Sequence, residues 1–228
     1  MQQIEPFSDV RLRSCCIYCG GPIETREHVP SKILLDRPYP HNLPIVPSCL
    51  SCNNSFSMDE EYCACILECI RCGTSNPEEL RRDTIKRILR EKPGLQKRIA
   101  LSEHVVEGRC YWDVDIPRIR NVLVKIARGH AAFELSELNF SDPDFVSIFP
   151  LETLSKEQYV EFESVRTPSI FPELGSRAMQ RIIVSDLTTS GWIDVQVERY
   201  RYFVDCEFRV EVRIVVDEYL GSIISWCD

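Results

Sequence analysis

Two Cys-x-x-Cys pairs near the start of the chain have the spacing of a metal site. Cys16 and Cys19 form the first pair, and Cys49 and Cys52 form the second. Each pair can deliver two thiolates to one ion, and four thiolates complete the tetrahedral shell of a structural zinc site. The spacing therefore predicts bound Zn2+, with buried metal-free thiols as the alternative. Cys15 has the wrong spacing to Cys19 and is left out of the predicted site.

An acid and a histidine stand side by side between the two cysteine pairs. They are Glu27 and His28, followed by Val-Pro. Histidine can act as a general base at neutral pH, and a carboxylate is a hard oxygen ligand for a divalent cation. Together they indicate metal-assisted hydrolysis, for example of a phosphodiester. The alternative is that Glu27 is a solvated acid and His28 is structural.

The order of these motifs, with Asn42 before the second cysteine pair and Asn53 directly after it, resembles the HNH endonucleases of the ββα-metal class. The resemblance is confined to roughly the first third of the chain. It implies that His28 is the general base and that Glu27 binds the catalytic ion. It also implies that Asn42 holds the loop presenting the base, and that Asn53 is the second protein ligand. The products would carry a 5′-phosphate and a 3′-hydroxyl.

The sequence departs from the family pattern in three ways. Glu27 stands where Asp is commoner, the stretch from Asn42 to Cys49 is longer than usual, and Ser57 stands where some relatives have a further histidine. Two protein ligands with water and phosphate suit Mg2+ or Mn2+ better than zinc. We therefore expect Mg2+ or Mn2+ as the catalytic ion, and Asn53 as a helix N-cap is the alternative role for that residue.

The stretch from residue 81 to residue 98 is rich in positive charge. It holds eight basic and two acidic residues, although the whole chain has a formal net charge of −8. Residues 1–132 carry 19 basic and 17 acidic residues, and residues 133–228 carry 8 and 18. Because phosphate contact needs only a local basic face, the stretch predicts nucleic-acid binding, with DNA as the favoured substrate, or else a solvated helix face. The predicted contacts are Arg81, Arg82, Lys86, Arg87 and Arg90.

Local patterns place these motifs on secondary-structure elements. A helix is predicted from near Asn53 to Gly73, a second over 78–92 and a third over 117–135, whereas 138–176 reads as loop-rich. From Tyr200 to Val216 every even position is apolar, which predicts β-structure with a bend or turn near Asp205.

These patterns predict an α+β protein. Residues 1–76 would form a zinc-stabilised ββα-metal (HNH) nuclease module, and residues 77–228 would form helices and a C-terminal antiparallel sheet of unassigned role. The activity implied is metal-dependent endonuclease activity, that is, phosphodiester hydrolysis. The alternative is a non-catalytic zinc module that binds nucleic acid or a protein. The C-terminal sheet could also mediate a homodimer.

Composition indicates the cellular compartment and the chemistry of the cysteines. The chain has 12 cysteines, a polar acidic start and no long apolar run, so we expect no membrane span, a cytoplasmic location and metal ligation rather than disulfides. Cys65, Cys69 and Cys72 recur at helical spacing and are predicted to pack in the core.

Overall fold

The computed structural model describes residues 14–41, 43–165 and 191–227. It is a mixed α+β structure, in agreement with the predicted fold class. Two compact units can be separated: Met1–Ser55 with Leu123–Asp228, and Phe56–Val122. The predicted boundary after residue 76 is not one of the boundaries of these units. Among the described residues, no helix combines the length and the apolar character needed to cross a membrane.

The first unit begins with two short strands that lead into a long helix. Strand β1 (Thr25–His28) pairs antiparallel with β2 (Ile45–Ser48), and helix α1 (Leu50–Cys72) follows directly. The predicted helix start near Asn53 is wrong by three residues. Cys49 precedes the helix, and its sulfur and its carbonyl oxygen accept the amides of Cys52 and Asn53. The cap is therefore a cysteine, so Asn53 is not the N-cap.

A five-stranded antiparallel sheet lies at the end of the chain, as predicted. Its order is β5-β9-β8-β7-β6, and every neighbouring pair is antiparallel. The strands are β5 (Phe145–Pro150), β6 (Ile193–Gln196), β7 (Tyr200–Asp205), β8 (Val210–Val216) and β9 (Leu220–Trp226). The turn predicted near Asp205 is confirmed, because β7 ends there and β8 begins at Val210.

The region predicted to be loop-rich contains regular structure. Besides β5, it holds helix α5 (Lys156–Glu163), which begins with a capping box between Ser155 and Gln158. Residues 166–176 of that predicted loop lie outside the described residues. Helix α5 and Trp192 cover one face of the sheet, where Phe162, Phe203 and Val215 form a buried cluster with Leu151 and Trp192. The charged residues at odd positions are therefore not all solvated: Arg201 pairs with Glu163 and lies over the Trp192 ring.

The other face of the sheet carries the even-numbered residues, and it packs against helix α4 (Ile116–Leu135). His130 of α4 is fully buried, donates to or accepts from the hydroxyl of Tyr200 at 2.8 Å and stacks on the ring of Tyr202. Tyr202 in turn bonds Glu134. This polar interior is closed to solvent, so His130 is a structural core residue.

The second unit, Phe56–Val122, contains two α-helices and a two-stranded hairpin after α1. They are α2 (Asp83–Glu91), α3 (Pro93–Leu101) and the hairpin of β3 (Glu103–Val106) with β4 (Arg109–Trp112). The predicted helix over 78–92 is wrong at its start. Residues Pro77–Glu79 form a separate 3-10 helix, and the buried carboxylate of Glu68 accepts the amides of Arg81 and Arg82 just before α2. Cys65 and Cys69 are fully buried on α1, as predicted. Cys72, also predicted to pack in the core, is only partly buried, and its thiol donates to Glu68.

Candidate functional site

Four cysteine sulfurs converge at the base of the β1–β2–α1 unit. The sulfurs of Cys16, Cys19, Cys49 and Cys52 all lie within 4.8 Å of one another, and Cys19 Sγ is 3.8 Å from Cys49 Sγ. Sulfurs bound to one Zn2+ at about 2.3 Å in a tetrahedron are about 3.8 Å apart. The cluster therefore has the composition and spacing to hold a metal ion such as zinc. Cys15 is not part of it.

The first cysteine pair is fixed by a tight turn that docks on β2. The amide of Gly20 donates to the carbonyl of Cys16, and the amide of Cys16 donates to the carbonyl of Gly21. Gly20 has φ +73°, a left-handed conformation that glycine adopts without strain. The amide of Ile17 donates to the carbonyl of Pro47 in β2. This contact holds the first pair against the strand that leads to the second pair.

Backbone amides favour the thiolate form within this cluster. Burial opposes ionisation of Cys16, but the amides of Cys49, Tyr18 and Cys19 point at its sulfur and bring the pKa down to about 7. Burial and the neighbouring thiols Cys49 and Cys19 raise the pKa of Cys52. One thiol is thus prepared to ionise near neutral pH, and a bound cation would favour ionisation of the others.

His28 is the last residue of β1 and is half-buried. Its Nε2 atom is shielded from solvent, and it has no hydrogen-bond partner among the described residues. Burial lowers the pKa of His28, and the nearby positive charge of Lys32 lowers it further. The imidazole is therefore neutral at pH 7. The hydrogen-bonding capacity of Nε2 is not used by any of the described residues.

Glu27 is buried beside His28 and is engaged by a lysine. Lys125 of α4 has a side chain only 1% exposed, and its Nζ lies 3.2 Å from Glu27 Oε1. The same Nζ lies 3.3 Å from the hydroxyl of Ser31. An ammonium at this carboxylate opposes binding of a second cation there, because the two positive charges repel each other. The assignment of Glu27 as a metal ligand stays a prediction, and this ion pair weighs against it.

The resemblance assigned roles to two asparagines, Asn42 and Asn53. Asn42 lies outside the described residues. Asn53 directly follows Cys52 in the first turn of α1, where it is half-buried and its amide donates to the carbonyl of Cys49. Its role as an ion ligand stays a prediction. Ser57, one turn further along, is exposed.

Two residues that lie beside this site were not predicted from the sequence. They are Lys125 and Gly129 of α4. A side chain added at Gly129 would place its Cβ 2.7 Å from Cγ2 of Val29, so α4 approaches this backbone closely. The signal that could have revealed Lys125 is a charged residue on the apolar face that holds Val122 and Ile126. A lysine in such a position must find a buried partner.

Most of the side chains predicted to contact nucleic acid already have partners within the second unit. Arg81 donates from Nη2 to the carbonyl of Arg71, Lys86 lies 3.6 Å from Asp83, and Arg90 donates from Nε to Glu78. Arg82 is half-buried, whereas Arg87 is exposed on α2. Of the five, Arg87 is therefore the side chain best placed for an external phosphate.

Comparison with known proteins gives no relative: no family model, no curated protein and no solved structure matches the chain.

Proposed function

We propose that the protein is an HNH-type endonuclease that hydrolyses phosphodiester bonds of nucleic acid. The observation that carries the proposal is His28, a neutral histidine at the end of β1 whose Nε2 has no partner among the described residues. The order of β1, β2 and α1, with four cysteines at its base, supports it as well.

The chemistry assigned to His28 is general-base catalysis. Its Nε2 lone pair takes a proton from water as the water oxygen attacks the phosphorus. The bond to the 3′-oxygen then breaks, and that oxygen takes up a proton from solvent. The products are a 5′-phosphate and a 3′-hydroxyl. A depressed pKa keeps the base unprotonated at pH 7, which is the state that the first proton transfer requires.

The four cysteines are proposed to hold a structural zinc ion. A shell of four thiolates leaves no open coordination position, so this ion would stabilise the fold rather than activate water. Cys49 supplies both a sulfur to the cluster and the cap of α1. Zinc binding would thus fix the start of the helix relative to β2.

Glu27, one of the two residues predicted to bind the catalytic Mg2+ or Mn2+, does not fit that ion as it stands. The Glu27 carboxylate already neutralises the buried ammonium of Lys125. A divalent cation at Glu27 would have to share that carboxylate with a fixed positive charge. Dependence on Mg2+ or Mn2+ remains an implication of the resemblance. No step assigned to His28 is routed through an ion at Glu27.

Contact with nucleic acid is proposed for α2. Arg87 is exposed there. Residues 56–122 carry 12 basic and 12 acidic residues, so attraction to phosphate would come from the local arrangement and not from the charge of the unit. DNA remains the favoured substrate, and salt-dependent binding would be its signature.

The decisive experiment compares His28→Ala with His104→Ala. His104 is an exposed histidine of β3 that bonds Asp113, so it controls for loss of an imidazole elsewhere. Plasmid nicking is measured with Mg2+, with Mn2+ and with EDTA, together with zinc content and melting temperature. We expect His28→Ala to fold, to keep its zinc and to lose about 10²-fold or more in rate, the scale of general-base catalysis. His104→Ala should cut at the parent rate.

A folded His28→Ala protein that cuts at the parent rate would remove this proposal. The non-catalytic zinc module would then be the better description of the protein.

A further inference from the structure

We propose that Glu27 and Lys125 are positioning residues, a buried ion pair that fastens the backbone carrying His28 to helix α4. The catalytic part of this inference rests on the proposed function, whereas the positioning part does not. It assigns a role to Lys125, and it gives Glu27 a role other than ion ligand.

The burial of the residues around His28 carries the first step. Glu27, Val29 and Ser31 are 9%, 1% and 3% exposed, whereas His28 is only partly buried. Strand β1 ends at His28, and successive side chains of a strand point to opposite sides, so Glu27 and His28 lie on opposite faces of β1. Beyond the strand, Val29, Pro30 and Ser31 are all buried.

Glu27, Val29 and Ser31 each contact α4. Lys125 Nζ reaches both Glu27 Oε1 and Ser31 Oγ, at 3.2 and 3.3 Å. Between them, Val29 packs directly against the backbone at Gly129. Lys125 and Gly129 are four residues apart and lie on one face of α4. Helix α4 thus contacts the backbone segment around His28 at three residues: Glu27, Val29 and Ser31.

Loss of one partner of this ion pair should destabilise the protein, because the pair is buried. Lys125 is almost completely enclosed, so removing Glu27 takes a nearby negative charge away from a buried ammonium. Replacing both charges by apolar side chains of similar size is tolerated far better than removing one. A double replacement therefore separates an anchoring role from a ligand role. The anchor can be rebuilt without charge, but an ion ligand cannot.

The experiment uses the full chain with Glu27→Met, Lys125→Met and the double variant Glu27→Met/Lys125→Met. Three quantities are measured on each preparation: zinc content, nicking kcat and KM with Mg2+ and with excess Mn2+, and the NMR signals of 13C-labelled histidine. The chain has four histidines, so the His28 signal is assigned with His28→Gln. The signal of exposed His104 is the internal control.

In each single variant we expect the His28 signal to shift or broaden and kcat to fall about 10- to 100-fold with little change in KM, because a small misplacement of a catalytic group has effects of this size. Excess Mn2+ should not restore the rate. In the double variant the His28 signal should return toward its parent position. Its kcat should recover to within about threefold of the parent, since the uncharged pair packs in place of the charged one.

Two results would overturn the inference. The first is a His28 signal unchanged in folded single variants. The second is a double variant with a parent-like His28 signal that cuts only when Mn2+ is raised, which would make Glu27 an ion ligand. If the double variant does not fold, Glu27→Gln decides: it removes the charge facing Lys125, so loss of an anchor lowers the rate in a way that excess Mn2+ does not restore, whereas loss of an ion ligand lowers a rate that Mn2+ restores. If the parent does not cut nucleic acid at all, the proposed function fails, yet the NMR signals still test the positioning.

Discussion

At the scale of single residues, His28 differs from the other histidines in its surroundings. His130 is sealed in the core against Tyr200, and His104 is exposed and bonded to Asp113. His41 is exposed. Among the described residues, only His28 combines a half-buried ring with a shielded nitrogen that has no partner. Burial and the positive charge of Lys32 lower its pKa, which is why His28 is the candidate for proton transfer.

The depressed pKa of His28 predicts the pH dependence of cleavage. A general base works only when unprotonated, so the rate should rise with pH along an acidic limb whose midpoint lies below the ordinary histidine pKa of about 6.5. Nicking rates across the acidic range check this, with zinc content measured at each pH to exclude loss of the metal. A midpoint at or above the ordinary histidine pKa would contradict the burial argument.

The same shift has a consequence for stability. The folded state holds the proton on His28 less tightly than the unfolded chain does. The contribution of this residue is therefore complete above about pH 6.5 and is lost as the pH falls toward the folded-state pKa. His28→Gln should remove that part of the pH dependence of unfolding.

At this scale, whether a contact could be predicted from the sequence depended on how far apart its residues lie along the chain. The cysteine cluster was predictable because two short spacings define it. The partner of Glu27 was not, because Lys125 lies 98 positions later and only the fold brings the two together. The same limit applies to Arg81 and Arg90, whose partners Arg71 and Glu78 could not be read from local composition.

At the scale of elements, helix α4 and Val29 approach each other closely beside His28. At Gly129 an added Cβ would lie 2.7 and 3.0 Å from the methyl carbons of Val29. Gly94 in the first turn of α3 offers a matched control, because nothing lies within 4 Å of an added Cβ there. The two glycines therefore separate the effect of helix propensity from that of crowding.

We expect Gly129→Ala to destabilise the protein and Gly94→Ala to leave it unchanged or stabilise it. Alanine gains about 1 kcal/mol over glycine within a helix, but overpacking of a close contact costs about 1–3 kcal/mol. Gly129→Ala should therefore lower the free energy of unfolding by up to about 2 kcal/mol. Denaturant unfolding of both variants checks this, and Val29→Ala should recover part of the loss in the Gly129→Ala background. A Gly129→Ala protein as stable as Gly94→Ala would show that the contact yields easily.

The predictability of elements depended on whether a pattern was periodic. The alternating run from Tyr200 and the apolar face of α4 were found because their periods are clear. Strand β5 was missed because its apolar residues run almost continuously, a pattern that suits a strand or a buried helix equally. Helix α5 was missed although its capping box, Ser155 with Gln158, stood in the sequence as a start signal.

At the scale of the whole molecule, the predicted nuclease segment depends on distant parts of the chain. Met1–Ser55 is one compact unit with Leu123–Asp228. Besides Lys125 and Gly129, the sheet contributes to this unit: the side-chain amide of Gln196 bonds both backbone groups of Asp36, and Arg199 donates to the carbonyl of Leu34. The connection between β1 and β2 is therefore held by the C-terminal sheet, and that sheet serves the candidate site as its support.

This dependence predicts the behaviour of residues 1–76 expressed alone. We expect the fragment to bind one equivalent of zinc, because all four cysteines are present, but to unfold without cooperativity and to cut no nucleic acid. Without residues 123–228, Val29 and Leu34 would lose the cover that buries them, and Glu27 would lose Lys125. Elemental analysis, thermal unfolding and nicking are compared between the fragment and the full chain, with the full chain treated by a chelator as the control for zinc. A fragment that unfolds cooperatively and cuts at the parent rate would show that the site needs neither α4 nor the sheet.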